Sequence, residues 1–206
     1  FLSNRKDLKG EDIVHKWKLI LTEDEIIKCI EKCAKYINEH FEGKDIVLTC
    51  ILKGASYFFI ELAKRIIISN TWYFIEASSY KDKQTQDHQL EILSIINPSK
   101  FKDKYVILLD ELFDNGFTMS EVKKRISNDA HIPHDRIFCC ALFKKKHSIY
   151  GTPDLYGIEV PNVWLVGYGL DDKQEKRGWS HLFACPKTDD SLKTEDDLLF
   201  DNEESY

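Results

Sequence analysis

Val106-Ile107-Leu108-Leu109-Asp110-Glu111-Leu112-Phe113-Asp114-Asn115-Gly116-Phe117-Thr118-Met119 is the stretch that decides the fold. Its first four residues are apolar, the signature of a strand buried on both faces, as in a parallel sheet. Asp110 and Glu111 follow at once, and Asp114 stands ahead of a small-residue turn. Met119, Val122 and Ile126 then recur at helical spacing. The order is therefore strand, acidic loop, turn, helix. In an open α/β sheet, ligands sit beyond the carboxyl ends of strands at such junctions. The helix start offers free backbone N–H groups and the positive end of a dipole, both suited to a phosphate. Gly116 lets the backbone approach closely and Thr118 adds a hydroxyl. Paired carboxylates beside a phosphate cradle make sense with a sugar between them, because they accept from vicinal hydroxyls or hold a metal that bridges them. A phospho-acceptor receiver domain, with an acidic strand end and no nucleotide, is the alternative at this point.

The 206 residues can bury one substantial core, and a single domain spanning 1–206 is expected. A hydrophobic fraction of 43% with 12% aromatics is globular in character. No apolar run approaches the ~20 residues of a membrane span, and no stretch reads as a signal peptide. The cysteines are Cys29, Cys33, Cys50, Cys139, Cys140 and Cys185, with no Cys-x-x-Cys pair among them. Several lie in apolar runs, where cysteine behaves as a small hydrophobe. A reduced, cytoplasmic setting is expected. The net charge of −6 is carried entirely by Lys187 to Tyr206; the rest of the chain is neutral. No basic stripe with interleaved aromatics marks a nucleic-acid face.

Working outward, Thr22 with Glu25 forms a capping box ahead of an amphipathic helix that carries Ile26, Ile30, Cys33, Ile37 and Phe41 and closes near Gly43. Asp45 to Leu52 reads as a core strand, followed by Lys53-Gly54-Ala55 and a helix from about Ser56 to Ile68. Thr71 to Ser78 is strand-like and leads through Ser79-Tyr80 into a long polar loop ending near Gln89. Arg136 to Phe143 is another apolar strand, with Lys144-Lys145-Lys146 at its end. Pro161 to Asp171 is a further strand segment containing Trp164 and Leu165; Arg177 and His181 follow in a polar loop.

The ordered set Leu52-Lys53-Gly54, Ser79-Tyr80, Asp110 to Thr118, Lys144, Trp164 to Asp171 and Arg177 resembles the hypoxanthine-guanine phosphoribosyltransferase family, type I phosphoribosyltransferases. The segment Trp164 to Phe183 looks closest to the Giardia-type guanine enzymes. The resemblance implies a mainly parallel, twisted α/β sheet flanked by helices. Its core runs over about 44–170, and a small hood is built from the N-terminal segment and about 171–206. It implies transfer of ribose 5-phosphate from phosphoribosyl pyrophosphate to a 6-oxopurine, guanine first and hypoxanthine possible, in purine salvage. Asp114 becomes the general base. Asp110, Glu111, Asn115, Gly116, Phe117 and Thr118 hold the ribose and its 5′-phosphate. Lys53, Gly54 and Arg177 meet pyrophosphate, through a loop whose first peptide can be cis. Lys144, Trp164, Leu165 and Asp171 face the purine, and Ser79 and Tyr80 begin a mobile flap. Mg²⁺ is the implied cofactor, held by Asp171, Asp110 and Glu111, and a homodimer or homotetramer is the implied assembly. The chain departs from the family pattern at several positions: Ala55 replaces a glycine, the acidic pair Asp110-Glu111 is reversed from the common order, and Asn115 and Phe117 replace the common threonine and lysine of the phosphate loop. Two alternatives stay open, a transferase for another base and a nucleotide-sensing regulator of the same fold.

Overall fold

The structure is a computed structural model that describes residues 17–81, 88–146 and 149–184, with 78–81 and 88–89 described in the backbone only. Its larger sheet contains β2 (Ile46–Leu52), β3 (Asn70–Lys81), β4 (His88–Ile92), β5 (Tyr105–Phe113), β6 (Ile137–Lys145) and β7 (Leu155–Val160). The spatial order is β4-β3-β2-β5-β6-β7. All neighbours run parallel except β3 and β4, which form an antiparallel pair. β5 occupies the centre, so residues 106–109 are buried on both faces, as their unbroken apolar run requires.

Among the described residues, three α-helices cover the two faces: α1 (Glu23–His40), α2 (Ser56–Ala63) and α3 (Phe117–Ala130). α1 starts at the expected capping box: the Glu25 amide donates to Thr22 Oγ1, and the Thr22 amide donates to Glu25 Oε2 at 2.8 Å. Its stripe of Ile26, Ile30, Cys33 and Ile37 packs with Phe58, Phe59 and Leu62 of α2 against Leu48, Ile107 and Leu109. On the opposite face, Val122 and Ile126 of α3 meet Val47, Val106, Leu108 and Ala141. Each aliphatic side chain so buried is worth about 1.5–3 kcal/mol relative to exposure. α2 ends at Ala63, short of the expected Ile68; beyond it Ile66 and Ile68 pack on the core from an irregular segment leading into β3, while Ile67 is exposed.

A second, three-stranded sheet forms the hood: β1 (Lys18–Leu21), β9 (Leu182–Ala184) and β8 (Leu165–Val166), in the order β1-β9-β8. It takes in Leu165–Val166, earlier in the chain than the expected core limit near residue 170. The seemingly weak pattern ahead of Thr22 includes a true strand, β1, whose partner lies more than 160 residues later. The polar stretch expected to be a loop from Tyr80 onward has paired ends: β3 continues to Lys81, and Tyr80 and Lys81 align with Gln89 and His88 of β4. Its tip, 82–87, and the Ser79 and Tyr80 side chains lie outside the described residues.

Candidate active site

The carboxyl ends of β2, β5 and β6 and the start of α3 converge on one edge of the large sheet, below the hood. At the end of β2 the Leu52–Lys53 peptide is cis. The Lys53 side chain is two-thirds exposed and lies 3.9 Å from Glu76. Ala55 has φ −65°, an ordinary value, and is fully buried, so a second glycine is not needed here. Gly54 is different: a Cβ there would overlap the Glu111 carboxylate. Gly169 of the hood faces the other side of this loop, where a Cβ would overlap the Gly54 carbonyl oxygen. The loop is thus held without a gap between β5 and the hood.

Asp110 is buried, and Glu111 beside it is partly exposed. Burial, then the neighbouring Glu111 charge, push the Asp110 carboxyl well above the usual carboxylate range. Burial also raises Glu111, opposed by its hydrogen bond with Asp110 and by the Arg177 charge. Asp110 Oδ1 accepts from the Glu111 amide at 3.0 Å. Asp114, more than half exposed, stands at the mouth of the site.

The turn after Asp114 depends on its glycine. Gly116 has φ +89°, and a Cβ there would press on the Phe113 ring, so the position demands glycine. Asn115 Oδ1 accepts from the Phe117 amide at 2.9 Å. This caps one of the free N–H groups of α3 and makes Asn115 a brace of the turn. Thr118 lies in the first turn of the helix, partly exposed.

The two lysines at the end of β6 meet different carboxylates. Lys144 pairs across β5 with Phe113, which is buried against α3. Aligned residues of parallel neighbours share a face, so Lys144 points away from Asp114. Its Nζ lies 3.3 Å from Glu159 and over the Tyr156 ring. Lys145 instead reaches Asp114: its Nζ is 3.2 Å from Asp114 Oδ2. The three-lysine run hides this, because only the register against Leu112–Phe143 tells which lysine faces the site.

From the hood, Trp164 presents an open indole, 62% exposed, while Leu165 beside it is buried in β8. Arg177 Nη2 meets Asp171 Oδ1 at 2.6 Å, and Nη1 donates to the Gly169 carbonyl at 2.8 Å. Asp171 Oδ2 also accepts from the Gln174 amide. Asp171 and Arg177 therefore brace one another and the turn that supports Gly54. His181, unassigned from sequence, accepts from the Glu23 amide through Nδ1 at 2.9 Å and ties the hood to the start of α1.

Among the described residues no three His, Cys, Asp or Glu side chains converge as a preformed metal cage. Magnesium does not need one, since it is held by one or two carboxylates plus substrate phosphates. The adjacent oxygen donors Asp110 and Glu111, each disfavoured as an anion by burial, have the chemistry for such a hard cation.

The phosphoribosyl transferase domain family matches residues 16–173. The hypoxanthine-guanine phosphoribosyltransferase of Aquifex aeolicus is 30% identical over 168 residues, covering 81% of this chain and 90% of that protein. The hypoxanthine phosphoribosyltransferase of Escherichia coli K12 is 27% identical over 166 residues, 79% of this chain and 92% of that protein. The crystal structure of a hypoxanthine-guanine phosphoribosyltransferase from Bacillus anthracis superposes with a TM-score of 0.70 at 26% identity, covering 82% of this chain and 97% of that one. With the parallel sheet, the glycine-bound turn and the paired acids at its edge, these likenesses make the chain a member of the hypoxanthine-guanine phosphoribosyltransferase family.

Proposed function

We propose that this enzyme transfers the 5-phosphoribosyl group from phosphoribosyl pyrophosphate to N9 of a 6-oxopurine, guanine before hypoxanthine, releasing pyrophosphate. The observation that carries the reading is the pairing of Asp114 with Lys145 at the edge that also holds Asp110, Glu111 and the α3 turn. A 6-oxopurine offers an N7 proton next to a C6 carbonyl, and a carboxylate beside an ammonium matches that pair. Asp114 takes the N7 proton as general base. Lys145 donates to O6, the role the resemblance gave to Lys144. Asp110 and Glu111 accept from the ribose hydroxyls, and their raised proton affinity falls when those donors or a cation arrive. Mg²⁺ neutralises the departing pyrophosphate when bound. Asp110, Glu111 and Asp171 are the oxygen donors available to it. Lys53, the Gly54 amide and Arg177 receive the pyrophosphate, with Arg177 leaving Asp171 to do so. The Trp164 indole stacks on the base, a contact worth roughly 1–3 kcal/mol. The flap from Ser79 and Tyr80 closes over the reacting sugar and keeps water from the cationic ribosyl centre.

The enzyme acts as a homodimer or homotetramer. α2 and β3 expose Ile60, Trp72 and Phe74 around buried Phe59, a cluster next to the Lys53 loop. Exposed apolar clusters of this kind mark association surfaces. The chain is a cytoplasmic salvage enzyme; no described helix is long and apolar enough to cross a membrane.

The test is pyrophosphate release from phosphoribosyl pyrophosphate with guanine, hypoxanthine, xanthine or adenine, with Mg²⁺ and with chelator. Turnover should need the metal, be fastest with guanine and be very poor with adenine. Adenine in the lead would defeat the Lys145 role. Release unaffected by chelator would remove Mg²⁺.

A further inference from the structure

We infer that Tyr150 completes the 5′-phosphate cradle, its hydroxyl donating to the phosphate of the ribosyl substrate; the inference rests on the phosphoribosyl-transfer reading above. The side-chain donors of this turn are the Asn115 Nδ2 and the Thr118 hydroxyl. Asn115 spends its side-chain oxygen on the Phe117 amide, which also removes one helix N–H from those open to a ligand. Phe117 brings a ring with no polar atom. Thr118 is left as the hydroxyl of the turn.

The segment after β6 is fastened to that turn. The amides of Ile149 and Tyr150 both donate to the Asn115 carbonyl, at 3.2 and 2.9 Å. The Tyr150 carbonyl lies so close to Gly116 that a Cβ there would be 3.2 Å from it. These contacts fix the Tyr150 backbone against the phosphate turn. Its ring then lies 5.5 Å from the Phe117 ring, tilted by 56°. Phe117 is the first residue of α3, so the Tyr150 ring flanks the helix start where the phosphate sits. About half of Tyr150 is open to solvent, and its hydroxyl has no hydrogen-bond partner among the described residues. A phenol beside a phosphate dianion makes a charge-assisted hydrogen bond, stronger than one between neutral groups. The aromatic pair thus adds a donor beside the turn, with Phe117 holding the ring that carries it.

The decisive variant is Tyr150→Phe in the full chain, which keeps the ring and deletes only the hydroxyl. Binding of ribose 5-phosphate and of inorganic pyrophosphate is measured by calorimetry, alongside KM for phosphoribosyl pyrophosphate and the thermal midpoint. The expected result is about tenfold weaker ribose 5-phosphate binding, a similar rise in KM, and unchanged pyrophosphate binding and midpoint. Unchanged ribose 5-phosphate binding overturns the inference, and so does equal weakening of both ligands. Failure of the wild type to turn over any purine would instead defeat the reaction assigned above, and the ribose 5-phosphate measurement remains decisive for Tyr150.

Discussion

The Lys145 ammonium lies 3.2 Å from Asp114 Oδ2, while Lys144, one residue earlier, turns to Glu159 on the other face of the sheet. Both lysines are nearly buried, so neither is a solvated strand end. The two differ in what they can reach, and mutagenesis separates them. Lys145→Met should lower kcat/KM for 6-oxopurines by about 10–100-fold, the worth of a hydrogen bond to a charged group. Lys144→Met should stay within about threefold of wild type, since the Glu159 it leaves behind is open to water. Steady-state kinetics on guanine and hypoxanthine decide, and the opposite ranking would return the purine role to Lys144.

Asp114 is more than half exposed and is the carboxylate beside Lys145. Asp114→Asn keeps its shape and removes the proton acceptor. We expect kcat to fall roughly 10²–10⁴-fold, with the KM for phosphoribosyl pyrophosphate little changed. A variant whose kcat stays near normal would show that another group takes the N7 proton.

Asp110 sets a pH dependence of stability in the ligand-free protein. Its folded-state carboxyl titrates above its unfolded value of about 3.9, because burial and then the Glu111 charge oppose ionisation. The folded state therefore holds this proton more tightly. The resulting stability is fully present below the unfolded pKa and is lost as pH rises through the folded one. Asp110→Asn removes the ionisation and should raise Tm at neutral pH by about 2–4 °C for each kcal/mol relieved, while activity is lost. Tm of wild type and variant should converge as pH falls toward 4. A variant less stable than wild type at neutral pH would contradict this account.

Gly54 is gripped between the Glu111 carboxylate and Gly169. Gly54→Ala must displace one of them. The expected result is a rise in KM for phosphoribosyl pyrophosphate of about tenfold or more, as a misplacement of about 1 Å can cost 10²-fold. Purine KM should change far less. Kinetics varying each substrate in turn give the split, and equal effects on both would point to general loss of structure.

Trp72 and Phe74 project from β3 beside exposed Ile60. Trp72→Glu with Phe74→Glu should convert a dimer to monomer in analytical ultracentrifugation without altering the thermal core. If the wild type itself sediments as a monomer, the assembly proposal is lost and the patch needs another occupant.

The sequence by itself determined the central strand, the acidic turn, the start of α3 and the capping box of α1. Each of these rests on neighbours within a few residues. Val106 to Leu109 need burial on both faces, Gly116 needs a positive φ, and Thr22 needs only Glu25. Short-range chemistry is written locally, so it is legible locally. Tertiary structure alone decided which lysine meets Asp114, because that depends on the register of β6 against β5 and not on the run Lys144-Lys145-Lys146. It alone revealed β1, whose four residues make a strand only by pairing with β9. It alone turned Asp171 and Arg177 into mutual braces, seated Gly169 on Gly54, and brought Tyr150 to Phe117 across the end of β6. In every such case the partner lies far away in the chain, and its distance and direction are set by packing of the whole sheet.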